Sequence, residues 1–166
     1  GTPLAEAARR AVLDPEHRPG PAAELFLFLA ARADLVAGVI RPALERGEVV
    51  IADRFDLSTM AYQVTGRGLD GAAVRQANDL AKGGTTPDIT LVLDLDPAAG
   101  RERQRSAGKA PDRMEQEDPA FHERLAKHYR AAAGPGVEHL DATVGTEALA
   151  AAAWRILAKH RPDLFN

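Results

Sequence analysis

The chain has 166 residues, no cysteine and a formal net charge of −3, and its length suits a single domain over residues 1–166 with a sizeable hydrophobic core. Without cysteine neither a disulfide framework nor a thiolate metal site can form, and a reducing cytoplasm is the expected compartment. The acidic charge argues against a nucleic-acid-binding protein, and no segment approaches the ~20 apolar residues that span a membrane.

Apolar spacing, prolines and glycines divide the chain into helices that alternate with short strands. Helices are predicted at 3–13, 22–46, 58–63, 71–82, 98–107, 118–133 and 145–160. Pro42 lies inside the second helix and predicts a kink near Arg41. Strands are predicted at 48–53, 89–95 and 137–140. This alternation indicates a parallel sheet covered by helices on both faces, although such sheets usually have about five strands.

Asp53 and Arg54 stand where the strand predicted at 48–53 ends and a helix follows. Open α/β sheets bind ligands at the carboxyl ends of their strands. Arg54 can bind a phosphate bidentately, and Asp53 can orient a metal-bound water. The alternative interpretation is an exposed ion pair of little energetic value.

The residues from Asp53 onward resemble the segment that defines bacterial thymidylate kinases. The matching residues are Asp53-Arg54-Phe55-Asp56-Leu57-Ser58-Thr59-Met60-Ala61-Tyr62-Gln63 and then Gly66-Arg67-Gly68-Leu69-Asp70. The resemblance covers essentially the whole chain and implies the P-loop NTPase-like α/β fold of nucleoside monophosphate kinases. It also implies transfer of the γ-phosphoryl group of ATP to thymidine monophosphate (dTMP), a step of dTTP synthesis, with Mg²⁺ as cofactor.

The start of the chain matches the middle of the family pattern. Gly1-Thr2 correspond to the end of the family's Arg-Glu-Pro-Gly-Gly-Thr motif, and the 166 residues contain no Gly-x-x-x-x-Gly-Lys-Ser/Thr loop for ATP phosphates. We therefore expect the family's first two strands and that loop to be absent here because a longer enzyme is truncated. A naturally shortened domain is the alternative. In either case we expect negligible kinase activity from these 166 residues alone.

The resemblance implies that Phe28 stacks on thymine and that Arg32 bonds the base. Their i, i+4 spacing places both on one helix face. The alternative is a core phenylalanine beside a solvated arginine. Around the acceptor phosphate, the resemblance implies a clamp by Arg54 and a position near the metal for Asp53. The remaining implied substrate-binding residues lie on the next helix, where one hydroxyl bonds the thymine edge and the tyrosine crowds the sugar 2′ position: Ser58, Thr59, Tyr62 and Gln63.

The segment at about 106–116 corresponds to the family's mobile lid, and Asp112-Arg113-Met114-Glu115 resembles its closing motif. The resemblance implies that lid arginines stabilise the migrating phosphoryl group, with Arg103, Arg105 and Arg113 as candidates. A solvated basic surface is the alternative. Asp141-Ala142-Thr143 matches a family segment near the adenine of ATP.

Two other functions remain open, a deoxynucleoside kinase and a non-catalytic nucleotide-binding module. The Ala61-Tyr62-Gln63 and Gly66-Arg67-Gly68 signatures favour the monophosphate as acceptor over the nucleoside. The expected partners are dTMP and ATP, without nucleic acid or membrane. A homodimer is also expected by analogy, through the apolar helix from Leu25 to Val39, although a stripe facing the core explains that pattern equally well.

Overall fold

The computed structural model describes residues 1–108 and 110–165. By its internal contacts the chain divides into two compact units. The first comprises Gly1–Thr86 and Ala110–Phe121, and the second comprises Pro87–Lys109 and His122–Asn166. Among the described residues, no helix combines the length and the apolar character that crossing a membrane requires.

Helices build the first unit, and side-chain caps stabilise the starts of two of them. Its α-helices are α1 (Pro3–Leu13), α2 (Pro21–Leu35), α3 (Arg41–Glu45), α4 (Asp56–Thr59) and α5 (Gly71–Lys82). The Thr2 hydroxyl accepts from the Ala5 amide at 3.1 Å, and the Asp70 carboxylate accepts from the Ala73 amide at 2.8 Å. These side chains satisfy amides that helix starts leave without an intrahelical partner.

Two wider π-helical segments interrupt the first unit's helices. Val36–Ile40 joins α2 to α3 without a break, and the Arg41 amide donates to the Val36 carbonyl. Proline has no amide hydrogen, so Pro42 disturbs the regular ladder in the preceding turn, and the π-helical turn accommodates it. The predicted irregularity near Arg41 therefore takes the form of a π segment. The second segment, Met60–Gly66, continues α4 and extends the short helix that was predicted at 58–63.

The core of the first unit lies between α2 and α5. Leu25 and Leu29 pack with Val74 and Ala81, all buried. Burying a side chain of the size of leucine or valine stabilises a fold by ~1.5–3 kcal/mol. This packing fixes α2, which carries Arg32, against α5.

The prediction of a buried strand at 48–53 is wrong. The structure assigns no strand to these residues, and Val49 and Ile51 are 52% and 88% exposed. An apolar run becomes a strand only where a neighbouring strand can pair with its backbone. In the described part of the chain, the sheet has two strands, and both lie later in the sequence.

The second unit contains those two strands, β1 (Thr90–Asp94) and β2 (Val137–Asp141). They pair in parallel, with Thr90 opposite Val137 and Asp94 opposite Asp141, as the alternating pattern predicts. The remaining helices are α6 (Pro97–Ser106), α7 (Pro119–Arg130) and α8 (Thr146–His160). All three lie within a few residues of their predicted bounds.

Two local features of the second unit bear on its stability. Both ring nitrogens of His139 face acceptors, because Nδ1 lies 2.8 Å from an Asp94 carboxylate oxygen and Nε2 lies 2.8 Å from the Ala132 carbonyl oxygen. These two hydrogen bonds raise the pKa of His139. Gly136, just before β2, has a φ of 74°, and a Cβ there would collide with the backbone carbonyl of Asp88.

Candidate nucleotide-binding site

Arg32 lies in the last turn of α2 and is held by three acceptors. Nη1 donates to Thr59 Oγ1 at 2.6 Å and to the Asn78 side-chain oxygen, and Nη2 donates to the Phe55 carbonyl oxygen at 2.8 Å. The guanidinium carbon also lies 5.3 Å from the centre of the Phe55 ring. Burial lowers the pKa of Arg32 against the opposing effect of Asp56. The structure therefore brings two predicted base-binding residues, Arg32 and Thr59, into direct contact.

Arg54 and Tyr62 form the second pair of predicted site residues that are in contact. Its Nη1 donates to the Tyr62 hydroxyl at 3.0 Å, and its guanidinium carbon lies 5.3 Å from the centre of that ring. Its backbone has a φ of 67°, which is uncommon for a residue other than glycine. The exposed Asp53 precedes it. Unusual backbone geometry of this kind is frequent where a side chain must be aimed at a ligand.

A buried amide and a lysine hold the loop between these two pairs. Asn78, which is 3% exposed on α5, accepts from Arg32, and Lys82 Nζ lies 2.9 Å from Asp56 Oδ2. Burial opposes the charge of Lys82, but its hydrogen bonds to Asp56 and Asp79 raise its pKa. Sequence reasoning missed both residues, although their i, i+4 spacing on a predicted helix indicates that they share one face.

Other predicted substrate-binding residues occupy different surroundings. Phe28 lies one turn before Arg32 and is half-buried, and Ser58 is half-buried at the end of α4. Gln63 is 1% exposed, and its amide donates to Glu24 Oε1 at 3.0 Å. The structure therefore directs Gln63 toward a buried carboxylate that the sequence analysis did not identify.

That carboxylate, Glu24, is the centre of a buried ion-pair network. Arg67 Nη2 donates to it at 2.8 Å and Arg113 Nη2 at 2.6 Å. Burial acts to raise the pKa of Glu24, but the hydrogen bonds from Arg67, Arg113 and Gln63 outweigh it and lower the pKa. The one signal in the sequence is an acidic residue at the start of the apolar run Glu24-Leu25-Phe26-Leu27-Phe28-Leu29.

The predicted lid and donor residues fall in both units. In the second unit, Arg103 donates to the Ala142 carbonyl at 2.8 Å and to the Thr143 carbonyl at 3.5 Å, which joins a candidate lid arginine to the predicted adenine segment. Arg105 is exposed and pairs with Glu102 at 2.8 Å. In the first unit, Arg113 is 6% exposed beside Glu24. Lys109, within the predicted lid, lies outside the described residues.

The predicted adenine segment has a locally fixed geometry. The Thr143 amide and hydroxyl donate to Asp141 Oδ1 at 2.8 and 2.6 Å. These bonds lower the pKa of the exposed Asp141 carboxyl. For a metal, no group of three or more acidic or histidine side chains occurs within residues 1–108 and 110–165. Mg²⁺ in phosphoryl-transfer enzymes commonly needs only one or two carboxylates besides water and phosphate, so an exposed Asp53 suits such a contact.

Comparison with known proteins identifies the family of this chain. The thymidylate kinase family model matches residues 1–152. A thymidylate kinase of Deinococcus radiodurans is 43% identical over 162 residues, which are 96% of this chain and 78% of that protein. One from Gloeobacter violaceus is 44% identical over 154 residues, which are 90% of this chain and 73% of that protein. The chain therefore belongs to the thymidylate kinase family and has its P-loop NTPase-like α/β fold.

Proposed function

We propose that this chain binds dTMP as the phosphoryl acceptor of a thymidylate kinase, which uses ATP to form the diphosphate. The observation that carries this proposal is a pair of arginines at Phe55, since Arg32 contacts this residue and Arg54 precedes it in the sequence. Arg32 is held by Thr59, and Arg54 by Tyr62. The proposal assigns one planar cation to the base and the other to the phosphate, as recognition of a nucleoside monophosphate requires.

On the base side, the proposal assigns stacking to Phe28 and hydrogen bonding to Arg32, Ser58 and Thr59. Arg32 suits this role because its fork is fixed in advance by Thr59, Asn78 and the Phe55 carbonyl. A side chain whose rotamer is already fixed loses little conformational entropy when a ligand binds. Tyr62 would lie beside the sugar, and Gln63 would act from behind it.

On the phosphate side, the proposal assigns the clamp to Arg54 and a contact with metal-bound water to Asp53. Bound Mg²⁺ would neutralise charge that develops on the phosphates. The Arg54 guanidinium carbon lies 5.3 Å from the centre of the Tyr62 ring, and this cation–π contact limits the movement of the side chain. Arg54 therefore needs little reorganisation to bind an acceptor phosphate.

On the donor side, the proposal assigns phosphoryl stabilisation to the lid arginines Arg103 and Arg105, and adenine contacts to Asp141-Ala142-Thr143. The hydrogen bonds from Arg103 to the Ala142 and Thr143 carbonyls support a connection between these two groups. The cytoplasmic location and the homodimer stay predictions.

Calorimetric titration with dTMP and with thymidine tests the acceptor site. We expect dTMP to bind more tightly than thymidine, and we expect Arg54→Met to remove that preference by weakening dTMP binding at least about tenfold. Arg75→Met is the matched control, because Arg75 is an exposed arginine on α5. Failure of the unaltered chain to bind dTMP would refute the proposal.

Turnover assays with Mg-ATP separate the alternatives. Phosphorylation of thymidine in preference to dTMP would favour a deoxynucleoside kinase. When the chain is joined to the family's phosphate-binding loop, binding of dTMP without phosphoryl transfer would favour the non-catalytic binding module. Conversion of dTMP to the diphosphate supports the thymidylate kinase directly.

A further inference from the structure

Glu24 has a buried carboxylate, and none of the binding roles proposed above involves it. It is 1% exposed, and a buried charge is costly unless cations and hydrogen bonds compensate it. Arg67 supplies a bidentate pair, with Nε 3.0 Å from Oε1 and Nη2 2.8 Å from Oε2. Arg113 and Gln63 supply further donors at 2.6 and 3.0 Å. Three side chains from two other segments therefore converge on one carboxylate of α2.

Arg113 is anchored on more than this carboxylate. Its Nε donates to the Val12 carbonyl at 2.8 Å, and its backbone amide donates to the Leu13 carbonyl at 3.2 Å. The guanidinium is 6% exposed. These contacts connect residues 110–121 to the end of α1 and to the first turn of α2. Arg113 is therefore a buried structural contact beside Glu24.

A continuous series of contacts leads from Glu24 to the proposed phosphate clamp. The Arg67 guanidinium carbon lies 4.9 Å from the centre of the Phe121 ring, and that ring lies edge-on to the Tyr62 ring at 6.0 Å. Tyr62 in turn accepts the hydrogen bond from Arg54. Gln63, which donates to Glu24, is the next residue after Tyr62. Glu24 is thus connected to Tyr62 by two routes, through Arg67 and Phe121 and through the adjacent residue Gln63.

The network is also balanced in charge. Arg67 Nη2 lies 2.6 Å from Glu117 Oε1, so two arginines face two carboxylates. Removing the charge of Glu24 leaves one more cation than anion among these groups. Arg67 and Arg113 would then repel each other, and both the Phe121 ring and the segment 110–121 would lose their fixed position.

We infer that Glu24 is a positioning residue for the dTMP site, acting through Arg67 and Phe121 on Tyr62 and Arg54, with Arg113 as its buried partner. The inference rests on the proposed function, because it concerns how the acceptor site is held. It gives Arg113 a role within the fold in place of a contact with the migrating phosphoryl group.

The test measures dTMP affinity and thermal stability for a set of variants. Glu24→Gln keeps the shape and removes the charge, and we expect it to weaken dTMP binding at least about tenfold. Glu24→Asp keeps the charge and should recover part of the affinity. Ile40→Ala is the stability control, because Ile40 is a core residue of the segment Val36–Ile40 that is 6% exposed, and it should change affinity less than about twofold.

A double-mutant cycle adds a readout that general destabilisation does not move. The double variant Glu24→Gln/Arg113→Lys should weaken dTMP binding by much less than the product of the two single effects, because each single change removes the same interaction. Additive effects would overturn the inference, as would equal losses of affinity in Ile40→Ala and Glu24→Gln. If Glu24→Gln does not fold, the same cycle is run with Glu24→Asp.

The two proposals fail in different ways. No dTMP binding by the unaltered chain overturns the proposed function, and the positioning role with it. Tight dTMP binding that Glu24→Gln leaves unchanged overturns the positioning role alone.

Discussion

Replacing Arg32 by methionine should destabilise the first unit as well as its ligand site. The change keeps an unbranched side chain with a similar helix propensity, so the helix itself is little affected. It removes the donors that reach Thr59, Asn78 and the Phe55 carbonyl. It also removes the cation that lies 5.3 Å from the Phe55 ring.

The expected magnitude follows from these contacts and from their cost. Hydrogen bonds from a charged donor contribute ~1.5–3 kcal/mol each, so three of them set an upper range of ~4.5–9 kcal/mol. The desolvation of the guanidinium, which also lowers the pKa of Arg32, offsets part of this. The hydroxyl of Thr59 and the amide of Asn78 can turn toward other partners. We therefore expect the free energy of unfolding to fall by about 2–4 kcal/mol.

Urea unfolding followed by circular dichroism measures this difference, with Arg75→Met as the exposed control on α5. The control should lie within about 0.5 kcal/mol of the unaltered chain. Arg32→Lys tests the role of the fork, because it keeps the charge but cannot reach all three acceptors, and we expect it to recover only a minority of the loss. If Arg32→Met lowers the free energy of unfolding by less than about 0.5 kcal/mol, these hydrogen bonds do not stabilise the contact of α2 with Phe55 and Thr59, and the reasoning is refuted.

Two further predictions concern the second unit. The raised pKa of His139 means that its stabilisation is fully present below its unfolded value of ~6.5 and is lost as pH rises through the folded value. The stability difference from His139→Gln should therefore shrink on raising the pH, and a constant difference would contradict this. Gly136→Ala should lower the free energy of unfolding by at least ~1 kcal/mol more than Gly47→Ala, and urea unfolding measures both values. Both glycines have a positive φ, but a Cβ at Gly47 would meet no atom within 4 Å. Equal losses would refute the collision.

Sequence patterns predicted the helices more accurately than the sheet. Helix bounds depend on local residues, and Thr2, Asp70 and Pro3 mark the helix starts as observed. The strand at 48–53 depended on a partner that the apolar run itself cannot specify, and Ile51 is exposed instead. Periodicity reports which residues share a face but not what covers that face.

The candidate site shows the same division between local and distant information. The i, i+4 spacing placed Phe28 and Arg32 on one face of α2, and the segment around Asp53 indicated phosphate chemistry. The pairing of Arg32 with Asn78 spans 46 residues and that of Arg113 with Glu24 spans 89, so neither has a local signature. Buried polar pairs of this kind are visible in a sequence only as isolated charges or amides inside apolar segments.

The loss of the predicted strand does not leave the Asp53-Arg54 segment without support. Arg54 rests on Tyr62, the Phe55 carbonyl and ring meet Arg32, and Asp56 pairs with Lys82. The consecutive residues 54–56 are thus held by contacts with residues of α-helices or of the π-helical segment Met60–Gly66. The positions of both arginines follow from this packing, since each is held by groups on helices that the core already fixes. The proposed acceptor site is therefore held by helix contacts within the first unit, and these contacts need no strand at 48–53.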